Sequence, residues 1–243
     1  WSCAKTWPPR VMYTIFTMQR SASTTVCNII NTLPNAACAF ELLAPSQGNN
    51  KTGAVDQSQQ HDNHSAEQVL RRGFEEQFRR YPNAPCVWGT KVFPEHVSGA
   101  GVAWLWERSK KVIILERKNI TAQLASLQRA QTTGCWVGAG QAPSRCPRAQ
   151  VNVTPEALSK QTATAYAWYS QQRAMSALHA QEGMLLDVTT EGFLGTNQSL
   201  WRSNIGAFLL FCRSCWERGM AQSSRISATW RRSPPPPPPP PLP

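Results

Sequence analysis

Two short runs, Val11–Thr17 (VMYTIFT) and Lys111–Glu116 (KVIILE), constrain the fold of this chain more than any other feature. Each is β-branched or aromatic and nearly continuous in its apolarity, without the in–out alternation of a strand that has one face in water. Strands of this kind are covered on both faces, which points to a parallel sheet held between helices. The flanking segments agree. Thr24–Leu33 has helical spacing and stops before Pro34, and Ala37–Phe40 is a short second strand ending at Glu41. Ser65–Arg80 predicts an amphipathic helix with a Ser65/Gln68 capping box and with Leu70, Phe74 and Phe78 on one face. Cys86–Phe93 reads as the third strand, Val102–Trp106 as a helix, and Asn119–Gln131 as the helix after the fourth strand. Thr154 as N-cap and Pro155 in the first turn open a helix running to about Gln181. Met184–Thr189 is the fifth strand and Leu200–Cys212 a last helix. Strands alternating with helices predict an α/β fold of the P-loop type: three layers, with a central, largely parallel sheet of about five strands flanked by helices.

The chain has 243 residues, enough for a substantial core. It divides into an expected α/β domain over 1–232 and a polyproline tail over 233–243. The domain contains a polar insertion at 44–64, and Pro45–His64 shows no periodicity. The tail reads as polyproline II, which could dock a Pro-recognition module or act as a spacer. The longest apolar candidate for a membrane span, Ile205–Cys212, has eight residues, against the roughly 20 that a span requires. The sequence opens at Trp1 without a basic or apolar leader, so any signal or membrane anchor is expected outside this chain. Eight cysteines and five Asn-x-Ser/Thr sequons (Asn50, Asn63, Asn119, Asn152, Asn197) lean toward an oxidising secretory compartment. Cys135 and Cys146 could close a small disulfide loop. Cys212 and Cys215 have redox or zinc spacing but no second Cys/His pair, so a disulfide or free thiols are expected there rather than a metal.

The net charge of +11 calls for an anionic partner. Basic residues cluster at Arg71-Arg72, Arg79-Arg80, Arg108/Lys110/Lys111, Arg117-Lys118 and Arg231-Arg232. Nucleic acid, an anionic polysaccharide or a phosphate-rich cofactor would each fit. No nucleic-acid-binding signature accompanies the charge, and a nucleic-acid partner is not expected.

The most informative chemistry lies between the first strand and the first helix, in Thr17–Thr25. Backbone N–H groups of a tight loop entering a helix form an anion site. The hydroxyls of Ser21, Ser23, Thr24 and Thr25 add donors, and Arg20 adds a forked cation. A nucleotide-triphosphatase loop would read G-x-x-x-x-G-K-[ST]. There is no Gly-Lys pair here and no evident carboxylate for Mg²⁺, which argues against ordinary metal-dependent phosphoryl transfer.

At Arg20–Thr24 (R-S-A-S-T) the chain resembles the sulfotransferase superfamily that uses 3′-phosphoadenosine 5′-phosphosulfate (PAPS), above all its Golgi carbohydrate branch. That family's 5′-phosphosulfate loop reads R-S-G-S-T, so Ala22 stands where Gly is usual. KVIILERKNITAQLAS is similar to the family's second element, a basic residue after a strand and a Ser eight residues on, which grip the cofactor's 3′-phosphate. The resemblance assigns these roles to Lys118 and Ser126, with the adjacent Arg117 able to replace Lys118. Asn119 falls in the family's Asn/Asp slot, which implies that its sequon is unused. The resemblance further implies that Glu41 is the general base taking the acceptor's proton, with His96 as a rival base. It implies that Lys91 holds the acceptor or the sulfonate, or is an inward-facing ion-pair partner. The cofactor would contact Arg20, Ser21, Ala22, Ser23, Thr24, Thr25, Arg117, Lys118 and Ser126, and no metal. More weakly, Met184–Phe193 is similar to a late strand and turn of the family, and Gln222–Trp230, including Arg225, to the segment closing over the adenosine. The implied activity is transfer of a sulfonyl group from PAPS to a hydroxyl acceptor, a glycan in the first instance, in the Golgi lumen or secretory pathway. Three alternatives stay open: a divergent P-loop nucleotide kinase, a catalytically inactive sulfotransferase-like binding protein, and a nucleic-acid binder acting through its charge.

Overall fold

A computed structural model describes residues 9, 11–39, 41, 66–80, 85–136, 149–195 and 198–210. The chain divides into two compact units, Trp1–Leu210 and Phe211–Pro243. The second lies outside the described residues, and with it Cys212, Cys215, Arg225 and the polyproline tail. The expectations for the 44–64 insertion, the Ser65 cap and Cys146 also fall outside them.

Five strands form one sheet: β1 (Val11–Thr17), β2 (Ala36–Cys38), β3 (Val87–Val92), β4 (Lys111–Glu116) and β5 (Leu185–Thr189). Their order is β2-β3-β1-β4-β5, and every pairing is parallel. The helices are α1 (Ser23–Asn31), α2 (Ala66–Arg80), α3 (Gly99–Arg108), α4 (Ile120–Thr133), α5 (Pro155–His179), α6 (Thr190–Leu194) and α7 (Gln198–Leu210). The expected three-layer α/β fold is therefore present, with strand and helix ends within a few residues of those the sequence predicts. The short helix α6 is additional.

The two near-continuous apolar runs occupy the sheet's interior. In β1, Met12 and Phe16 face α2, α3 and α5, while Tyr13 and Ile15 face α1 and α7. In β4, Val112 and Ile114 face the first group, and Ile113 and Leu115 the second. Burying both faces of two adjacent strands gives each of these side chains about 1.5–3 kcal/mol of transfer free energy. Phe16 is the hub of the α5 side, stacked on Trp106 with ring centroids 5.5 Å apart and edge-on to Trp168 at 5.9 Å. On α2, Phe74 and Phe78 are buried against Trp88, as the sequence pattern predicts. Two polar groups that the sheet buries are paired across it: Tyr13 Oη donates to the Ala37 carbonyl at 3.0 Å, and Thr14 and Ser109 share a hydroxyl hydrogen bond of 2.7 Å.

Gly89 of β3 pairs with Tyr13 of β1. A Cβ built on Gly89 would lie 2.0 Å from the Tyr13 carbonyl oxygen and 2.7 Å from its ring, so this strand crossing requires the absence of a side chain. On the opposite side of the sheet's first connection, Cys27 of α1 and Cys38 of β2 form a disulfide. Cys86 and Cys135 each take part in a disulfide as well. No helix among the described residues is long and apolar enough to cross a membrane.

Gly89→Ala is expected to destabilise the fold by about 3 kcal/mol or more, because backbone atoms of two central strands must separate. Chemical denaturation read by tryptophan fluorescence checks this; an unchanged midpoint would contradict the strand packing described.

Candidate functional site

The candidate site lies at the C-terminal edge of the sheet, where β1, β2, β3 and β4 end side by side. The chain's exit from β1 is fixed first. The Thr17 carbonyl accepts from Trp168 Nε1 at 3.1 Å, and the Met18 amide donates to Tyr169 Oη at 3.2 Å. Tyr169 in turn donates to the Leu115 carbonyl at 2.9 Å, as does Thr17 Oγ1 at 2.8 Å. Burial, opposed by its hydrogen bonds, pushes the Tyr169 hydroxyl up to about 12, so it remains a donor at any physiological pH.

Three consecutive carbonyls of the following loop are then tied by side chains from elsewhere in the fold. Gln19 O accepts from Gln123 Nε2 at 2.7 Å, Arg20 O from Arg117 Nη1 at 2.9 Å, and Ser21 O from Thr190 Oγ1 at 2.9 Å. The C=O and N–H of one peptide unit point in opposite directions. Anchoring these carbonyls therefore turns the N–H groups of Arg20, Ser21 and Ala22 away from those partners, as a loop able to form an anion nest requires. Gln123 Nε2 also reaches Ser21 Oγ at 2.8 Å. The turn needs left-handed backbone at two non-glycine residues, Arg20 (φ 63°) and Ala22 (φ 59°). Ala22 is the residue before α1, and its carbonyl accepts from Thr25 N at 2.9 Å and Val26 N at 3.2 Å. The family-like Gly position thus has the positive φ that a glycine serves, and Ala22 bears a strain of about 1 kcal/mol there.

Arg20 Nε donates to Ser126 Oγ of α4 at 2.9 Å. This bond joins the loop after β1 to the element after β4, the two places that the sequence assigns to opposite ends of one cofactor. The Arg20 guanidinium sits with Ser126 and near Arg117. The guanidinium's pKa is held below its ordinary value by burial first, and then by the positive charges of Arg117 and Arg129. Among the described residues none of these three arginines has an ion-pair partner. Lys118 is placed differently. Its ammonium pairs with Glu116 at 2.7 Å, and Glu116 is also held by Arg173 at 2.5 Å. Of the two residues the sequence offers for the 3′-phosphate, the structure therefore brings Arg117 to the cluster and draws Lys118 aside.

A second group lies on the β2–β3 side. Lys91, buried near the end of β3, donates to Thr24 Oγ1 at 3.0 Å and pairs with Glu41 Oε1 at 2.8 Å. Its side chain is 4% exposed while that of Glu41 is 43% exposed, so the carboxylate faces solvent with the ammonium behind it. The ammonium also lies 5.3 Å from the Phe93 ring centroid. His96 is buried and serves the turn after β3: its Nδ1 accepts from the Phe93 amide at 3.4 Å. Glu95 beside it takes a hydrogen bond from Gln19 Nε2. Ser23 is buried at the start of α1, and Thr25 half-buried in its first turn.

Gln123, Thr190, Glu191 and Arg129 belong to the site without having been singled out from the sequence. Gln123 left a readable trace, a polar residue next to Leu124 on the inward side of α4. The others act across long sequence separations. No group of three or more His, Cys, Asp or Glu side chains that could hold a metal occurs among the described residues. Compared with known proteins, the chain matches no family model and no curated sequence.

Ala22→Gly is expected to stabilise the protein by about 1 kcal/mol, measured as a shift in denaturation midpoint; a loss of stability would contradict the left-handed assignment. Burial lowers the pKa of His96 below 6.5, partly offset by Glu95 and Glu41. The unfolded chain therefore takes up this proton first as pH falls, and stability should decline below about 6.5 until the folded-state value is passed. His96→Gln should flatten that decline in a pH series of thermal unfolding.

Proposed function

We propose that this chain is a PAPS-dependent sulfotransferase acting on a hydroxyl acceptor, a carbohydrate in the first instance. The observation that carries the reading is the half-buried Arg20 guanidinium bonded to Ser126, with the like charges of Arg117 and Arg129 near it and none of the three in an ion pair among the described residues. Like charges gathered this way repel one another unless a polyanion joins them. The anion nest at Arg20–Ala22 supplies a second, separate acceptor-seeking feature. PAPS carries two anionic ends, a 5′-phosphosulfate and a 3′-phosphate, and this donor set fits both.

The cofactor supplies an activated sulfonyl group whose transfer leaves a phosphate behind. The loop amides, with the Ser23, Thr24 and Thr25 hydroxyls beside them, would take up the charge that develops on the departing 5′-phosphate oxygen, while the buried Ser21 hydroxyl is turned inward to Gln123. Arg117, Ser126 and Arg20 hold the 3′-phosphate. Glu41 receives the proton of the attacking hydroxyl as its oxygen bonds to sulfur and the bond to the phosphate oxygen breaks. Lys91 fixes Glu41 and, through Thr24, ties it to the loop. Preorganised donors carry the electrostatic demand. The oxidised cysteines Cys27, Cys38, Cys86 and Cys135 support a Golgi or secretory lumen.

Calorimetry with 3′-phosphoadenosine 5′-phosphate, followed by transfer of labelled sulfonate to a panel of glycans, tyrosyl peptides and small alcohols, tests the reading. Binding and EDTA-insensitive transfer are expected. Arg20→Ala and Arg117→Ala should weaken nucleotide binding more than Lys118→Ala does. Glu41→Gln should cut kcat by about 10²–10³ with nucleotide affinity intact. Binding without transfer to any acceptor would leave an inactive nucleotide-binding relative, and absence of binding would end the proposal.

A further inference from the structure

The two anion-binding elements leave neighbouring strands, β1 and β4, and touch each other directly through Arg20, Arg117 and Gln123. A further tie between them comes from outside both strands. Thr190 and Glu191 open the short helix α6, directly after β5, with Thr189 as its N-cap (Oγ1 accepting from Gly192 N at 3.1 Å). Thr190 Oγ1 donates to the Ser21 carbonyl at 2.9 Å. The neighbouring Glu191 carboxylate accepts from both amides that lead into α4, Lys118 N on Oε2 at 3.1 Å and Asn119 N on Oε1 at 3.0 Å. Two adjacent side chains thus grip the β1 loop with one hand and the β4 turn with the other.

We propose that Thr190 and Glu191 are positioning residues that lock the β1 loop and the Arg117–Ser126 segment to each other. Neither is argued to touch substrate. The geometry at Glu191 explains why a carboxylate is used. Two divergent N–H donors need two acceptor oxygens, and only an ionised carboxylate offers both. Burial acts to raise the Glu191 pKa, but the amides of Asn119 and Lys118 and the charge of Arg117 prevail and lower it, keeping it ionised. The carboxylate also fills the positive N-terminal end of α4. On the proposed reading a cofactor phosphate is thereby directed past that end toward Ser126, farther along the helix, to which Arg20 donates.

The functional half of this inference rests on the proposed PAPS site; its structural half does not, and the test separates them. Hydrogen exchange of the full chain is compared for wild type, Glu191→Ala, Glu191→Gln and Thr190→Val. Glu191→Ala should speed exchange in 117–126 and also in 18–25, about a hundred residues away in sequence, while the amides of β1 and β4 keep their protection. Glu191→Gln, with a single acceptor oxygen and a clashing NH₂, should fall between wild type and Ala. Thr190→Val should give the same pattern led by 18–25. Faster exchange confined to 118–119 would overturn the lock, as would protection lost uniformly across the sheet. In calorimetry with 3′-phosphoadenosine 5′-phosphate, Glu191→Ala should weaken binding about 10–100-fold. Combined with Arg117→Ala it should add little further loss; full additivity would overturn the role. If wild type does not bind the nucleotide, the functional reading fails while the exchange data still decide the lock.

Discussion

The site depends on how the chain leaves β1. A parallel sheet exposes unpaired backbone groups at its C-terminal edge, and here those of Thr17 and Met18 are claimed by two aromatic side chains of α5, Trp168 and Tyr169. The same Tyr169 hydroxyl bonds the end of β4. Loop and neighbouring strand therefore share one anchor, buried among the apolar contacts of Phe16 and Trp106. A loop held this firmly at its root can sustain left-handed backbone at Arg20 and Ala22, because the strain is outweighed by fixed partners on either side. Its three anchored carbonyls extend the same device outward, each bound to a different element.

The arrangement separates two kinds of electrostatics. On the α4 side, Arg20 holds the Ser126 hydroxyl beside the like charges of Arg117 and Arg129, none of them in an ion pair among the described residues. On the β2–β3 side, an exposed Glu41 is backed by a buried Lys91, and the two sides meet in the loop through Thr24. A site built this way can hold a polyanion at one end and keep a proton acceptor at the other, without the two charges cancelling. That division is what sulfonyl transfer would demand, and it is reached with side chains from four strand ends.

Much of the architecture was legible because it rests on local patterning. VMYTIFT and KVIILE announce strands covered on both faces, and Thr154-Pro155-Glu156 announces the start of α5; both are read from neighbouring residues alone. The hydroxyl-rich loop was recognisable for the same reason. What escaped was set by long-range geometry. Nothing local distinguishes Arg117 from Lys118; the distinction comes from Arg173 on α5, which pairs with Asp187 of β5 and also with Glu116, so that Glu116 and its partner Lys118 belong to a separate ionic group. The sign of φ at Ala22 depends on which partners hold the flanking carbonyls. His96 resembles a free base in sequence, yet its ring packs 4.7 Å from that of Phe93 and its Nδ1 staples the turn. Helix α6, only five residues long and containing Gly192, is too short to show periodicity.

The covalent bond between Cys27 and Cys38 gives the β2 end of the site an unusual independence. Cys27 lies on the helix that the anion loop opens, and Cys38 lies three residues before Glu41, so the carboxylate is moored to the loop's own helix as well as to the sheet. Whatever follows residue 41 can then lengthen, shorten or change its chemistry without dragging the carboxylate out of register. A scaffold so moored keeps the Glu41 carboxylate beside the loop's helix however that connection varies.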